Sequence, residues 1–139
     1  MSEEKKNGMA GRPSVLVVED DDAVRRSLQL LLRSRGYEVR AYASPGFALA
    51  DKENRSAACL IADLILPGRD GMMLLADLRS EGWDGAAILI SGFLDSDRMT
   101  QANHAGFDAV LEKPLGDSKL ITVVNELVPC NGPSGSRMG

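Results

Sequence analysis

With 139 residues, 44% of them hydrophobic and 26% charged, the sequence has the size and balance of one ordinary domain able to bury a core, and no room for a second. A net charge of -4 argues against a nonspecific grip on nucleic acid, which needs a basic surface to displace counterions from phosphates. Cys59 and Cys130 show neither metal-ligand nor redox spacing, the start MSEEKKNGMAGRP lacks the apolar core of a signal peptide, and no apolar run has the length of a membrane helix, which together point to a cytoplasmic protein without a membrane segment.

Residues 1–13 and 130–139 are polar and glycine-containing, and are expected to be disordered tails around a domain at 14–129. VLVV (15–18) reads as a first strand, and Val24, Leu28, Leu31 and Leu32 then fall on one helical face. YEVRAY (37–42) alternates like a half-exposed strand, after which Ser44-Pro45 offers an N-cap and first-turn proline for a second helix. CLIA (59–62) is a third strand, followed by a helix over Gly71–Gly82 with Leu74, Leu75 and Leu78 on one face. AAILI (86–90) is a fourth strand, Ser96–Ala105 a more polar helix, AVLE (109–112) a fifth strand, and Asp117–Leu127 a helix with Leu120, Val123, Val124 and Leu127 in a stripe.

Five βα units predict an α/β fold: a (βα)5 doubly wound five-stranded parallel sheet with helices on both faces. VLVV, CLIA and AILI do not alternate and read as buried on both faces, whereas strands two and five carry charges and read as edges. The order 2-1-3-4-5 satisfies both demands, and places a ligand site beyond the carboxyl ends of strands one and three, where the chain order reverses.

At those ends stand Glu19-Asp20, Asp63, Ser91 and Lys113-Pro114. Crowded carboxylates raise one another's pKa, and a hard divalent cation reverses that by favouring their ionised form. Mg²⁺ suits the set, with Mn²⁺ able to substitute, because it binds through a few carboxylates, keeps waters and completes its shell with phosphate oxygens. Glu19, Asp20 and Asp63 carry three negative charges and Lys113 one positive, so one Mg²⁺ neutralises the group.

VLVVEDD, DLILPGRDG, ILISG and LEKP occur in the order and spacing of response-regulator receiver domains of two-component signalling, and the chain resembles that family from Val15 to Val128. The resemblance implies that Asp63 accepts a phosphoryl group from a sensor histidine kinase or phosphotransfer protein. It further implies that Asp20 ligates the metal directly, Glu19 largely through water, Asp63 itself, and Ile65 through its backbone carbonyl. Ser91 and Lys113 would each hold a phosphoryl oxygen, Gly92 would leave the approach open, and Pro114 matches a cis-peptide position that aims the lysine inward. Beyond self-phosphorylation and self-dephosphorylation no enzymatic activity is expected, and no organic cofactor. The expected partners are the phosphodonor and a downstream protein target, with a phosphorylation-dependent dimer also open. No output module is expected in the chain, which leaves open a free regulator or the terminal receiver of a hybrid kinase.

Other residues have plainer readings. Asp21 and Asp22 suit the positive start of a helix, Gly68 and Gly71 a turn and a helix start, and His104 a solvated position. Trp83, Met72 and Met73 read as packing, and Arg25-Arg26 as a solvated face. Val110 stands where receivers usually carry an aromatic switch residue, which puts a rotating-ring account of activation in doubt. Ile65 and Phe93 occupy positions that in the family tune hydrolysis, and their apolar bulk predicts a long-lived phosphorylated state. Three rival readings fit these residues less well. A haloacid-dehalogenase-like phosphohydrolase wants an acid where Ile65 stands, a flavodoxin-like carrier wants a phosphate loop where the acids stand, and a phosphate-independent interaction module has no use for the complete acceptor set.

Overall fold

The computed structural model describes residues 12–128. Cys130, the expected C-terminal tail and nearly all of the N-terminal one lie outside the described residues. The strands are β1 (Ser14–Val18), β2 (Glu38–Tyr42), β3 (Cys59–Asp63), β4 (Ala86–Ser91) and β5 (Ala109–Glu112), and the helices α1 (Asp22–Ser34), α2 (Pro45–Ala50), α3 (Gly71–Ser80), α4 (Ser96–Ala105) and α5 (Asp117–Leu127). All pairings are parallel and the sheet order is β2-β1-β3-β4-β5, as the burial argument requires.

Because successive side chains of a strand point to opposite faces, the continuous apolar runs feed two cores at once. Leu16, Leu60, Ala62, Ala87 and Leu89 face α2, α3 and α4, where they pack with Ala48, Leu74, Leu75, Leu78 and Ala102. Val15, Val17, Ile61, Ile88 and Ile90 face α1 and α5, against Leu28, Leu32, Leu120, Ile121 and Val124. Each buried Val, Leu or Ile side chain among them contributes about 1.5–3 kcal/mol, so the three inner strands are the main source of the fold's stability.

The register decides where the strands stop. Val18 lies beside Tyr42 and Ala62, Asp63 beside Ile90, and Ser91 beside Glu112. The residues just past these partners therefore line one edge of the sheet.

Local chemistry sets the helix ends. Asp21 caps α1 by accepting the N–H groups of Ala23 and Val24 at 2.9 and 3.1 Å, and Asp95 caps α4 through the Arg98 N–H at 2.8 Å. Helix α3 ends at Ser80, short of the expected Gly82, because Gly82 adopts φ +94 and the amides of Gly82 and Trp83 turn back to the carbonyls of Arg79 and Leu78. Ser44 occupies the N-cap position of α2 but makes no side-chain capping bond; Pro45 at the first position supplies the start. An unexpected 3₁₀ turn at Lys52–Ser56 follows, held by Asp51 accepting the Glu53 N–H at 3.0 Å. Trp83 is buried as expected and donates to the Ala57 carbonyl at 2.8 Å, whereas Met73 is exposed, on the outer side of α3. Arg25 also departs from its expected solvated role, as described below. Among the described residues no helix is long and apolar enough to cross a membrane.

Candidate functional site

The five predicted side chains meet at the carboxyl edge of the sheet. Glu19 follows β1, Asp63 ends β3, Ser91 ends β4 and Lys113 follows β5, so each is carried by a strand buried on at least one face. Glu19, Asp20 and Asp63 each present a carboxylate oxygen within 4.8 Å of the others. Lys113 Nζ donates to Asp63 Oδ2 at 2.8 Å and stands 2.9 Å from Glu19 Oε1. Asp63 is 6% exposed, Ser91 1% and Glu19 0%, while Asp20 is exposed at the mouth. The Lys113–Pro114 peptide is cis.

The second oxygen of each buried acid is held by backbone. Glu19 Oε2 accepts the Asp21 N–H at 3.0 Å, and Asp63 Oδ1 accepts the Ile65 N–H at 3.3 Å. Ile65 therefore enters the resting site through its amide, with its side chain 66% exposed. Glu19 Oε1 is buried and faces the Lys113 ammonium at 2.9 Å. Burial pushes the Glu19 carboxyl above its usual range and the Asp63 charge adds to this, against the opposing pull of Lys113 and the Asp21 N–H. Burial alone would lower the Lys113 pKa, but its bonds to Asp63 and Glu19 raise it.

Oxygen-only donors, an acid excess over one ammonium, and a buried carboxylate oxygen with a free lone pair fit a small hard cation. Beside Lys113, α1 and the β5–α5 loop leave a groove of about 290 Å³ whose walls include Val24, Leu28 and Leu31 on one side and Pro114, Leu115 and Leu120 on the other.

The family model of the response regulator receiver domain matches residues 15–125. The chain belongs to the response regulator receiver family. The relatives of this receiver include the transcriptional regulatory protein FixJ of Azorhizobium caulinodans, 36% identical over 110 residues, which are 79% of this chain and 52% of that protein. The sensor kinase CckA of Brucella abortus is 35% identical over 130 residues, 90% of this chain and 13% of that one. The chain thus spans about half, or less, of the length of these curated relatives. Among solved structures, a CheY-like receiver domain protein of Methanospirillum hungatei superposes with TM-score 0.77 at 29% identity, covering 83% of this chain and 92% of that one. A regulator from Chloroflexus aurantiacus gives TM-score 0.75 at 30% identity, covering 84% and 98%.

Three residues of this receiver matter more than the sequence suggested. Arg25 reaches back from α1 to the Glu19 carbonyl at 2.9 Å and pairs with Asp22 at 2.6 Å, so it ties the acidic loop to the helix where a solvated face was expected. Its spacing of three from Asp22 was the available signal. Gly71 is more than a helix start: a Cβ there would stand 2.5 Å from the Asp63 carbonyl oxygen and 3.0 Å from Leu89. Arg98 donates to the Phe93 carbonyl at 3.0 Å and lies over the Phe93 ring, 5.3 Å from its centroid. Gly92 has nothing within 4 Å of where a Cβ would stand.

Proposed function

We propose that this receiver accepts a phosphoryl group on Asp63 from a phosphohistidine of a sensor kinase or phosphotransfer protein, in a reaction that requires Mg²⁺ or Mn²⁺. The observation that carries the reading is the meeting of three carboxylates within 4.8 Å at one strand edge, one of them paired to Lys113 at 2.8 Å. Asp63 is already a carboxylate and needs no base. One of its oxygens attacks phosphorus, the O–P bond forms as the P–N bond breaks, and the imidazole nitrogen leaves with the electron pair. Such a transfer asks mainly for alignment and for cancellation of charge on the equatorial oxygens.

Asp20, Glu19, Asp63 and the Ile65 carbonyl would hold the metal, which when bound supplies positive charge to the acids and to the incoming phosphoryl oxygens. Lys113, with three N–H donors, can keep one on the aspartyl group and turn another to a phosphoryl oxygen. Ser91 would give its hydroxyl proton to a second. The groove between α1 and the β5–α5 loop adjoins Lys113 and suits the apolar side chains of the docked donor. Ile65 and Phe93, 66% and 58% exposed, follow Asp63 and Ser91 by two residues and would shield the acyl phosphate from water.

The added phosphoryl charge of about -1.5 to -2 near neutral pH then pulls on the loops rooted at Ser91 and Lys113. The output face is that of α4, β5 and α5, offered to a downstream protein or to a second copy. Intact-mass measurement after acetyl phosphate treatment, with and without Mg²⁺, tests the reading. Wild type should gain one phosphoryl group only with metal, and Asp63→Asn none; an equal adduct on Asp63→Asn would refute it.

A further inference from the structure

The Ser91 hydroxyl is not idle in this structure. Ser91, 1% exposed, donates from Oγ to the Phe93 carbonyl at 2.9 Å and accepts the Phe93 N–H at 3.3 Å, closing a tight loop just after β4. A hydroxyl has a single proton, so Ser91 cannot serve a phosphoryl oxygen without letting go of that carbonyl. Left alone, the carbonyl would lose its partner at the moment the site forms. It does not stand alone, because Arg98 Nη1 donates to the same oxygen at 3.0 Å while its guanidinium covers the Phe93 ring. Arg98 is itself fixed at the first turn of α4, where its own N–H is taken by the Asp95 cap.

We propose that Arg98 is a positioning residue for the phosphoryl chemistry: by holding the Phe93 carbonyl it frees the Ser91 hydroxyl to turn toward Asp63 while keeping the β4–α4 loop in place. The inference rests on the phosphoacceptor reading of Asp63. Arg98 touches neither Asp63 nor the metal-site acids and acts only through Phe93 and Ser91. The planar guanidinium can bond the carbonyl and stack on the ring at once, whereas a lysine ammonium can do the first with less geometric control.

The test follows labelling of the full chain by radioactive acetyl phosphate with Mg²⁺ in wild type, Arg98→Ala, Arg98→Lys, Phe93→Ala and the Phe93→Ala/Arg98→Ala double variant. Arg98→Ala should lower the maximal labelling rate by about threefold to tenfold, the rate equivalent of one half-exposed charge-assisted hydrogen bond. The half-saturating acetyl phosphate concentration, the Mg²⁺ affinity by calorimetry and the melting temperature should stay as in wild type, and Arg98→Lys should recover most of the rate. The loss should persist in the Phe93→Ala background, since the backbone carbonyl is still there. An Arg98→Ala rate equal to wild type overturns the inference, and so does a loss that disappears once the ring is gone. Wild type that takes no label on Asp63 ends the phosphoacceptor reading and this one with it.

Discussion

Replacing Lys113 by Met keeps the aliphatic stem and removes the one ammonium that serves two buried acids. Lys113 stands 2.9 Å from Glu19 and 2.8 Å from Asp63, and Glu19 is fully buried. Stripping one partner from such a pair costs about 3–5 kcal/mol when the remaining charge cannot adapt. The variant has an escape, which is to protonate one carboxyl. From an ordinary value of 4.5 for Glu19, that costs about 4 kcal/mol near pH 7.5 and about 1.4 kcal/mol near pH 5.5, so protonation caps the loss and the cap falls with pH. The sign agrees with linkage: a carboxyl whose folded pKa is raised favours the fold below its unfolded value and opposes it as pH climbs through the folded one. Urea unfolding in chelator should therefore show Lys113→Met less stable than wild type by about 3–4 kcal/mol near pH 7.5 and by about 1 kcal/mol near pH 5.5. Millimolar Mg²⁺ should restore more of the variant's stability than of wild type's, because the ion replaces the missing positive charge. A loss of the same size at both pH values, or no loss at all, would refute the charge argument.

Gly71→Ala puts a methyl 2.5 Å from the Asp63 carbonyl oxygen; it should cost about 1–3 kcal/mol in urea unfolding and slow labelling of Asp63, whereas Gly46→Ala, with nothing within 4 Å of its Cβ, should be neutral or slightly stabilising. The Cys59 thiol, fully buried and pushed up to about 12 by burial and by the nearby Asp108 charge, should resist alkylation in the native protein near pH 8 and react once unfolded, as peptide mapping would show. The rise also means that Cys59 withdraws stability as the pH climbs from its ordinary value of 9.0 toward 12. Phe93→Ala should shorten the lifetime of labelled protein, read as loss of radioactive phosphate after gel filtration; an unchanged half-life would remove Phe93 as a shield.

The architecture was legible because its constraints are written in residue types. VLVV, CLIA and AILI have no polar position to give to solvent, which leaves only interior strands, and Arg40 and Glu112 mark the two edges. The site was legible for a related reason: Glu19, Asp63, Ser91 and Lys113 directly follow or end apolar runs, so their strands deliver them to one edge. What the sequence hid depends on partners distant in the chain. Gly71 is confined by the Asp63 carbonyl and by Leu89, neither of which its neighbours announce. The turn at Lys52–Ser56 is held by Asp51, whose carboxylate accepts the Glu53 N–H, and by the buried Asn54, which donates to the Ala48 carbonyl, and it has no apolar period to reveal it. Arg25 and Arg98 both act on backbone carbonyls, and a carbonyl acceptor carries no residue signature at all. Met73 failed a different way, since a helix of ten residues presents more apolar side chains than one face of the sheet can cover.

Val110 narrows how this receiver can pass its signal on. It is half-buried against the core cluster of the α2, α3 and α4 face, and offers neither a ring to reorient nor a polar group to exchange. A few kcal/mol of differential contact suffices to shift a two-state equilibrium, but that contact must be made by groups that reach both Asp63 and the helices. Lys113 reaches Asp63 and Ser91 ends the neighbouring strand, and what they next touch is backbone: the Ser91 hydroxyl donates to the Phe93 carbonyl, and the Lys113 amide donates to the Ser91 carbonyl at 2.8 Å. The β4 and β5 ends are thus tied to each other before any side chain intervenes. If the Ser91 hydroxyl turns as proposed, the change would reach α4 through Phe93 and Arg98, and a change at Lys113 would reach the same strand end through its own amide. On the proposed phosphoacceptor reading, the work usually given to an aromatic ring would fall in this chain to two hydrogen-bonded backbone segments and one arginine.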